Sequence, residues 1–141
     1  LGVEPLSEDF TDILLTSIMK GRKAAIKSAL LDQRLVAGLG NIYANEALFR
    51  SGISPRRKAG TISGQRAQRL TKAIKAVLIE AIEAGGTSLR DHIQPGGNIG
   101  YFAQKLRVYG QAGRGCLDCG QTLKQIIQSG RSSFYCPSCQ R

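Results

Sequence analysis

Apolar residues recur every three to four positions through the first eighty-odd residues, then give way to short β-branched runs beyond residue 105. Ser7 precedes EDFTDILLTSIMK, where Phe10, Ile13 or Leu14, Ser17 and Ile18 keep helical spacing behind an acidic first turn, with Pro5 and Gly21 at the ends. AAIKSALL, residues 24–31, predicts a short helix, and NIYANEALF predicts another from Ile42 to about Arg50, stopping before Gly52. GISPRRKAGTIS has the composition of a loop. Ser63 then stands as cap to a long helix whose apolar face is Leu70, Ile74, Val77 or Leu78, and Ala81, closed by Gly85-Gly86. GGTSLRDHIQPGGNIG is too rich in glycine for more than one helical turn, and KLRVYG, TLKQIIQ and SSFYC read as strands. The pattern predicts a mainly α unit followed by a small β-hairpin, without internal repeats.

Charge changes this picture by naming a kind of partner. The chain of 141 residues carries 20 Lys and Arg against 10 Asp and Glu, a net +10. Residues 1–19 hold four acids and no base, whereas residues 20–75 hold thirteen bases and two acids. Such a surplus expects a polyanion, and a 42% hydrophobic content excludes a disordered chain. A membrane surface is the rival polyanion, but no apolar run approaches a bilayer span. The expectation is a cytosolic protein facing nucleic acid, not a membrane. Leu1 is no initiator and LGVEPL reads as a linker, so a piece of a longer protein is expected.

All four cysteines fall in two C-x-x-C pairs, Cys116 with Cys119 and Cys136 with Cys139, sixteen residues apart. Each pair can present two thiolates from a tight turn, and an intervening hairpin would bring the pairs onto one structural Zn²⁺. Two disulfides are the alternative, suited to an oxidising compartment. Four sulfurs leave no open position for catalysis. The hairpin displays Lys124 and, near its tip after Gly130, Arg131, which can be aimed at a phosphate or simply solvated.

RLVAGLGNIYANE feeds a glycine turn into a helix N-terminus, a place to hold an anion. A dinucleotide fold is disfavoured, because no strand precedes the turn, the third glycine is missing and no Gly-Lys-Ser/Thr follows. A helix–turn–helix clamp on a nucleic-acid backbone fits better, with the turn's N–H groups and the Asn41 amide donating to phosphate. Asn41 as a plain N-cap is the alternative. Lys20, Arg22, Lys23 and Lys27 lie just upstream, and Lys23 and Lys27 share a face if their helix starts early enough. Arg66, Arg69, Lys72 and Lys75 read as a solvated face. His92 has no evident partner, and Tyr101, Phe102 and Tyr109 read as packing at the hairpin root.

Together, RLVAGLGNIYANEALF, GGTSLRDHI, GYFAQKLRVYGQAG and the C-x2-C-G … GRSSFYCPSCQ run resemble the formamidopyrimidine-DNA glycosylase family of bacterial base-excision proteins. The resemblance implies a helix–two-turn–helix domain over 1–94, a lesion-recognition-like loop over 85–102 and a four-Cys zinc finger over 107–141. It implies phosphate contacts from Lys23, Lys27, Asn41 and Arg131, with Tyr101 also in the DNA-binding set. Thr87, Leu89, Arg90, Asp91 and His92 would form the loop over an everted base, and Arg131 would donate the proton for δ-elimination. Cys116, Cys119, Cys136 and Cys139 would hold one structural Zn²⁺. The implied activity is excision of oxidised purines (8-oxoguanine, formamidopyrimidines) followed by β,δ-elimination. The implied partners are duplex DNA with oxidised bases or abasic sites and the family's N-terminal β-domain, in a monomeric bacterial protein of the cytoplasm and nucleoid. The family's nucleophile is an N-terminal proline followed by glutamate; here residues 1 and 2 are Leu and Gly, so this chain by itself is expected to be inactive. An endonuclease VIII-type oxidised-pyrimidine glycosylase and a non-enzymatic zinc-ribbon module are the alternatives.

Overall fold

The computed structural model describes residues 1–85 and 105–141. The described elements are α1 (Asp12–Met19), α2 (Ile26–Leu30), α3 (Asn41–Ser51), a 3-10 turn (Ala59–Thr61), α4 (Gly64–Glu83), β1 (Lys124–Gln128) and β2 (Arg131–Tyr135). The described residues are therefore mainly helical, with one antiparallel hairpin after the helices.

The helices bury one continuous core in which Leu15 and Met19 of α1, Tyr43 and Leu48 of α3, and Leu70 and Ile74 of α4 meet. The predicted face of α4 is buried throughout. Helix α1 departs from its expected register. Its cap is Thr11, whose hydroxyl accepts the Leu14 N–H at 3.1 Å, while Ser7 closes a turn before it. Phe10 thus lies outside the helix, and Leu15 and Met19, four apart, form the buried stripe while Ile13 is exposed. A run of consecutive apolar residues permits either register, and the cap decides. The first residues are likewise no loose linker. Val3 bridges Val36 in parallel, and a Cβ on Gly2 would lie 2.3 Å from the Leu35 carbonyl carbon, so only glycine fits.

Helix α3 is the axis of the molecule. Nine of its eleven residues are buried, including Asn41, Asn45, Glu46 and Ser51. One side packs in the helical core, while Phe49 joins a second cluster with Val108, Cys116, Leu123 and Phe134. KLRVYG is not a strand: its last residues are turns held by Glu46, whose carboxylate accepts the N–H groups of Arg107 (2.7 Å), Val108 (3.0 Å) and Tyr109 (2.8 Å). Tyr109 then packs edge-on against Phe134 at 4.9 Å, the root packing expected for it. α3 ends at Gly52 in the left-handed conformation, where a side chain would crowd the Cys139 carbonyl. A buried carboxylate that satisfies three backbone N–H groups cannot be removed cheaply, because three donors are orphaned at once. Glu46→Ala is expected to cost about 3–5 kcal/mol in urea unfolding; a loss below about 1 kcal/mol would show that the 107–109 turn holds without it.

Candidate nucleic-acid interface

The hairpin turn is Ser129-Gly130, both at positive φ, the signature of a tight two-residue loop. Gln128 and Arg131 close it, which places Arg131 at the tip, exposed to solvent. On β2, Arg131, Ser133 and Tyr135 share one face. Beneath that face lies Lys27 of α2, whose Nζ donates to Ser133 Oγ at 2.6 Å and to the Ser132 carbonyl at 3.1 Å. Ser133 Oγ in turn donates to Gln128 Oε1 at 2.6 Å, and Gln128 Nε2 reaches the Pro55 carbonyl.

Lys27 is 1% exposed, an extreme position for a lysine. Burial, with the repulsion of the Arg131 guanidinium added, lowers its ammonium from the ordinary lysine range to about 8. Two cations on one face of a hairpin, one buried and one exposed, form a strong local field for an anion.

Asn41 of α3 meets the same carbonyl, its Nδ2 lying 3.1 Å from the Ser132 oxygen. The N-cap is Gly40, so Asn41 is the first helical residue and not the cap. Its Oδ1 is buried without a partner among the described residues. The glycine turn before it is braced by Gln33, whose Oε1 accepts the Gly38 N–H at 2.6 Å, so that N–H is not free for a ligand. Two cavities flank Arg131. One of about 310 Å³ is lined by Leu31, Gly38, Gly40 and Tyr43, and one of about 140 Å³ by Lys27, Asp32 and Gln128.

Among the predicted residues, the structure thus brings Lys27, Asn41 and Arg131 together and leaves Lys23 apart. Helix α2 begins at Ile26, so Lys23 is exposed in the preceding turn and shares no helix face with Lys27. The basic set on α4 is only partly solvated: Arg69 donates to the Ser51 carbonyl and Lys75 to that of Ser7. Thr87, Leu89, Arg90, Asp91, His92 and Tyr101 lie outside the described residues, as does most of the 85–102 segment.

At the far end of the hairpin the four Sγ atoms lie within 4.8 Å of one another, with Cys116–Cys139 at 3.9 Å and Cys119–Cys136 at 3.5 Å. All four thiols are free, so the disulfide alternative falls. Tetrahedral zinc with sulfurs at about 2.3 Å separates them by roughly 3.8 Å, which this cluster matches. Backbone N–H groups of Asp118, Gln121 and Cys139 point at the sulfurs, the donor set expected around thiolates. The residues fit one structural Zn²⁺.

Comparison with known proteins agrees with this geometry. Residues 1–92 match the model of the formamidopyrimidine-DNA glycosylase H2TH domain, and 116–141 match the zinc finger found in FPG and IleRS. The chain belongs to the formamidopyrimidine-DNA glycosylase family. It is 54% identical over its whole length to the formamidopyrimidine-DNA glycosylase of Jannaschia sp. (strain CCS1) and 56% to that of Ruegeria pomeroyi, covering 50% of each. The chain thus spans about half the length of the curated relatives it matches. Among solved structures it resembles MutM (Fpg) from Thermus thermophilus, with TM-score 0.86 and 41% identity over 99% of this chain and 53% of that one. It also matches Lactococcus lactis Fpg in complex with abasic-site DNA, at TM-score 0.86 and 34% identity over 100% of this chain and 52% of that one. The helical unit and the finger match this family together, so neither a free-standing zinc ribbon nor an endonuclease VIII-type protein is favoured. Among the described residues no helix is long and apolar enough to cross a membrane.

Sequence reasoning missed Asn45, Glu46 and Gln140. Asn45 donates to Ser132 and accepts from Phe134, and Gln140 joins Cys136 to the Ile53 carbonyl. The available signal was two adjacent polar residues, Asn45-Glu46, inside an otherwise apolar helix.

The buried lysine and the metal fit each have a measurable consequence. Below about pH 8 folded and unfolded Lys27 are both protonated. As pH rises further the folded lysine sheds a proton that the unfolded one keeps, so stability rises toward the ordinary lysine range. Urea unfolding of the zinc-loaded chain at about pH 7.5 and about pH 9.5 should show this gain, and Lys27→Met should abolish it; equal pH dependence would place Lys27 in solvent. Zinc chelation should melt residues 113–141 and accelerate amide exchange across β2, with the helical core retained. Unaltered exchange in β2 would show that the hairpin does not depend on metal.

Proposed function

We propose that this chain is the DNA-holding half of a bifunctional DNA glycosylase/AP lyase acting on oxidised purines. One observation carries the reading: Lys27 of α2, Asn41 of α3 and Arg131 of the hairpin converge at Ser132, and Arg131 makes no ion pair among the described residues. Three elements that place a buried cation, an exposed guanidinium and a helix N-terminus around one small volume suit a single phosphate better than a neutral ligand. The relatives are named for formamidopyrimidine-DNA, and the Lactococcus lactis structures contain abasic-site or FAPY-dG DNA.

In this reading the partner is duplex DNA carrying an oxidised base or an abasic site. Asn41 and the first turn of α3 hold a backbone phosphate beside the extruded nucleotide. Arg131 closes on the same phosphate from the other side, and Lys23 adds charge at the rim. Lys27 supplies its charge from beneath while its donors hold the hairpin. A damaged base must leave the stack to be cut, so a fixed phosphate is the reference against which it is everted. In the δ-elimination step Arg131 would donate a proton to the departing phosphate oxygen. Thr87, Leu89, Arg90, Asp91 and His92 would order over the base, with Tyr101 at the DNA edge. The division at 1–94, 85–102 and 107–141 follows these roles. The zinc, when bound, supplies rigidity and no chemistry. The family's N-terminal domain would supply the nucleophile, and the whole would act as a monomer in the bacterial cytoplasm.

Binding to a short duplex should weaken steeply with salt, and Arg131→Ala should reduce the log–log salt slope by about one. Asn41→Ala should cost about 1–2 kcal/mol on damaged and undamaged duplex alike. Salt-independent binding, or slopes unmoved by Arg131→Ala, would overturn the reading. Borohydride treatment with abasic DNA should trap no covalent adduct of this chain; a trapped adduct would show that one of its own amines acts as nucleophile.

A further inference from the structure

In a hairpin closed by a two-residue loop, hydrogen-bonded and non-hydrogen-bonded pairs alternate from the turn outward. Gln128 and Arg131 close the turn, so Ser132 opposite Ile127 and Phe134 opposite Gln125 turn their N–H and C=O groups away from β1. Among the described residues that outer edge has no third strand. A buried, unpaired edge is costly. Here α3 covers it with one side chain: Asn45 Nδ2 lies 3.3 Å from the Ser132 carbonyl oxygen, and the Phe134 N–H donates to Asn45 Oδ1 at 2.7 Å. Asn45 is 1% exposed, and its Nδ2 also reaches the Asn41 carbonyl at 2.9 Å.

We propose that Asn45 is a positioning residue for the anion site: its carboxamide replaces a peptide group of the absent third strand and fixes how high Arg131 stands above the start of α3. The inference rests on the reading of Arg131 and Asn41 as phosphate ligands. Its geometric basis is that Asn45 touches both partners' backbones, Asn41 by its carbonyl and the residue after Arg131 by another. The Ser132 oxygen is offered three donors, from Lys27, Asn41 and Asn45, but has two lone pairs. With Lys27 and Asn45 holding that oxygen, Asn41 is free to exchange it for a phosphate oxygen while the hairpin stays in register. Without Asn45 the edge is unpaired, Asn41 is needed to satisfy Ser132, and Arg131 loses its fixed height. Asn45 therefore contributes to phosphate binding without touching the phosphate.

The test uses the whole zinc-loaded chain with Asn45→Leu, which keeps the branched heavy-atom skeleton and removes both edge bonds, alone and combined with Arg131→Ala. Cobalt substitution first checks that the four-thiolate absorption is unchanged. Duplex affinity of Asn45→Leu should fall roughly tenfold, with the salt slope lowered by about one, as for Arg131→Ala, and in the double variant the two losses should combine to less than their sum, because the Arg131 part is already gone and only the diversion of Asn41 remains. An unchanged slope, or losses that add in the double variant, overturns the proposal. If the parent chain binds no DNA, the phosphate reading itself fails. Amide exchange then decides the positioning role: Phe134 must exchange at least about tenfold faster in Asn45→Leu while the Cys136 amide keeps its rate, and equal rates at Phe134 overturn it.

Discussion

The structure depends on the polar residues of α3. A helix that is buried on nearly all sides would ordinarily be apolar, yet this one carries Asn41, Asn45 and Glu46 into the interior. Each is turned toward the finger's backbone: Glu46 to three consecutive N–H groups at 107–109, Asn45 to the edge of β2, Asn41 to Ser132. Buried polar groups are tolerated only when satisfied, and satisfying these fixes the finger in one orientation. Apolar contact through Phe49 and Phe134 supplies attraction without direction; the hydrogen bonds supply the register.

From this constraint the interface follows. A finger of this size has little core of its own and relies on metal at one end. Its other end is tied down by Lys27 and by Gln128, which reaches the Pro55 carbonyl, while its terminus is stitched back through Arg141 and Gln140 to residues 52–54. Arg131, at the tip of a rod held at both ends, is exposed but not adrift. The buried Lys27 below it makes sense in the same frame. A buried ammonium is costly, and this one persists because two hydrogen bonds and a hairpin position depend on it.

Much of this was legible in the sequence. The α4 face, the glycine stop of α3, the hairpin with Arg131 after Gly130 and the four-sulfur cluster all follow from local patterns whose physics is short-ranged. What local pattern could not reach was tertiary. KLRVYG has strand composition, but Glu46, some sixty residues away, claims its backbone donors and bends it. The burial of Lys27 was not legible locally, because it is created by Ser132 and Ser133, more than a hundred residues later. Asn45 lies inside the NIYANE run, but its role was not visible there, since its partner is an unpaired strand edge that exists only after the hairpin docks. The register of α1 departs from the expected spacing for a local reason: Thr11 supplies the cap, so Phe10 falls outside the helix.

In the proposed function the start of α3 and the hairpin tip form one anion site held in register from behind. Side-chain NMR during titration of the zinc-loaded chain with a short duplex tests it most directly. The account predicts that the Asn41 carboxamide and the Arg131 Nε–H shift together, in one saturating step, while the Asn45 carboxamide and the Phe134 amide stay in place. Shifts confined to Arg131, or centred on the exposed bases of α4 with Asn41 unmoved, would contradict it.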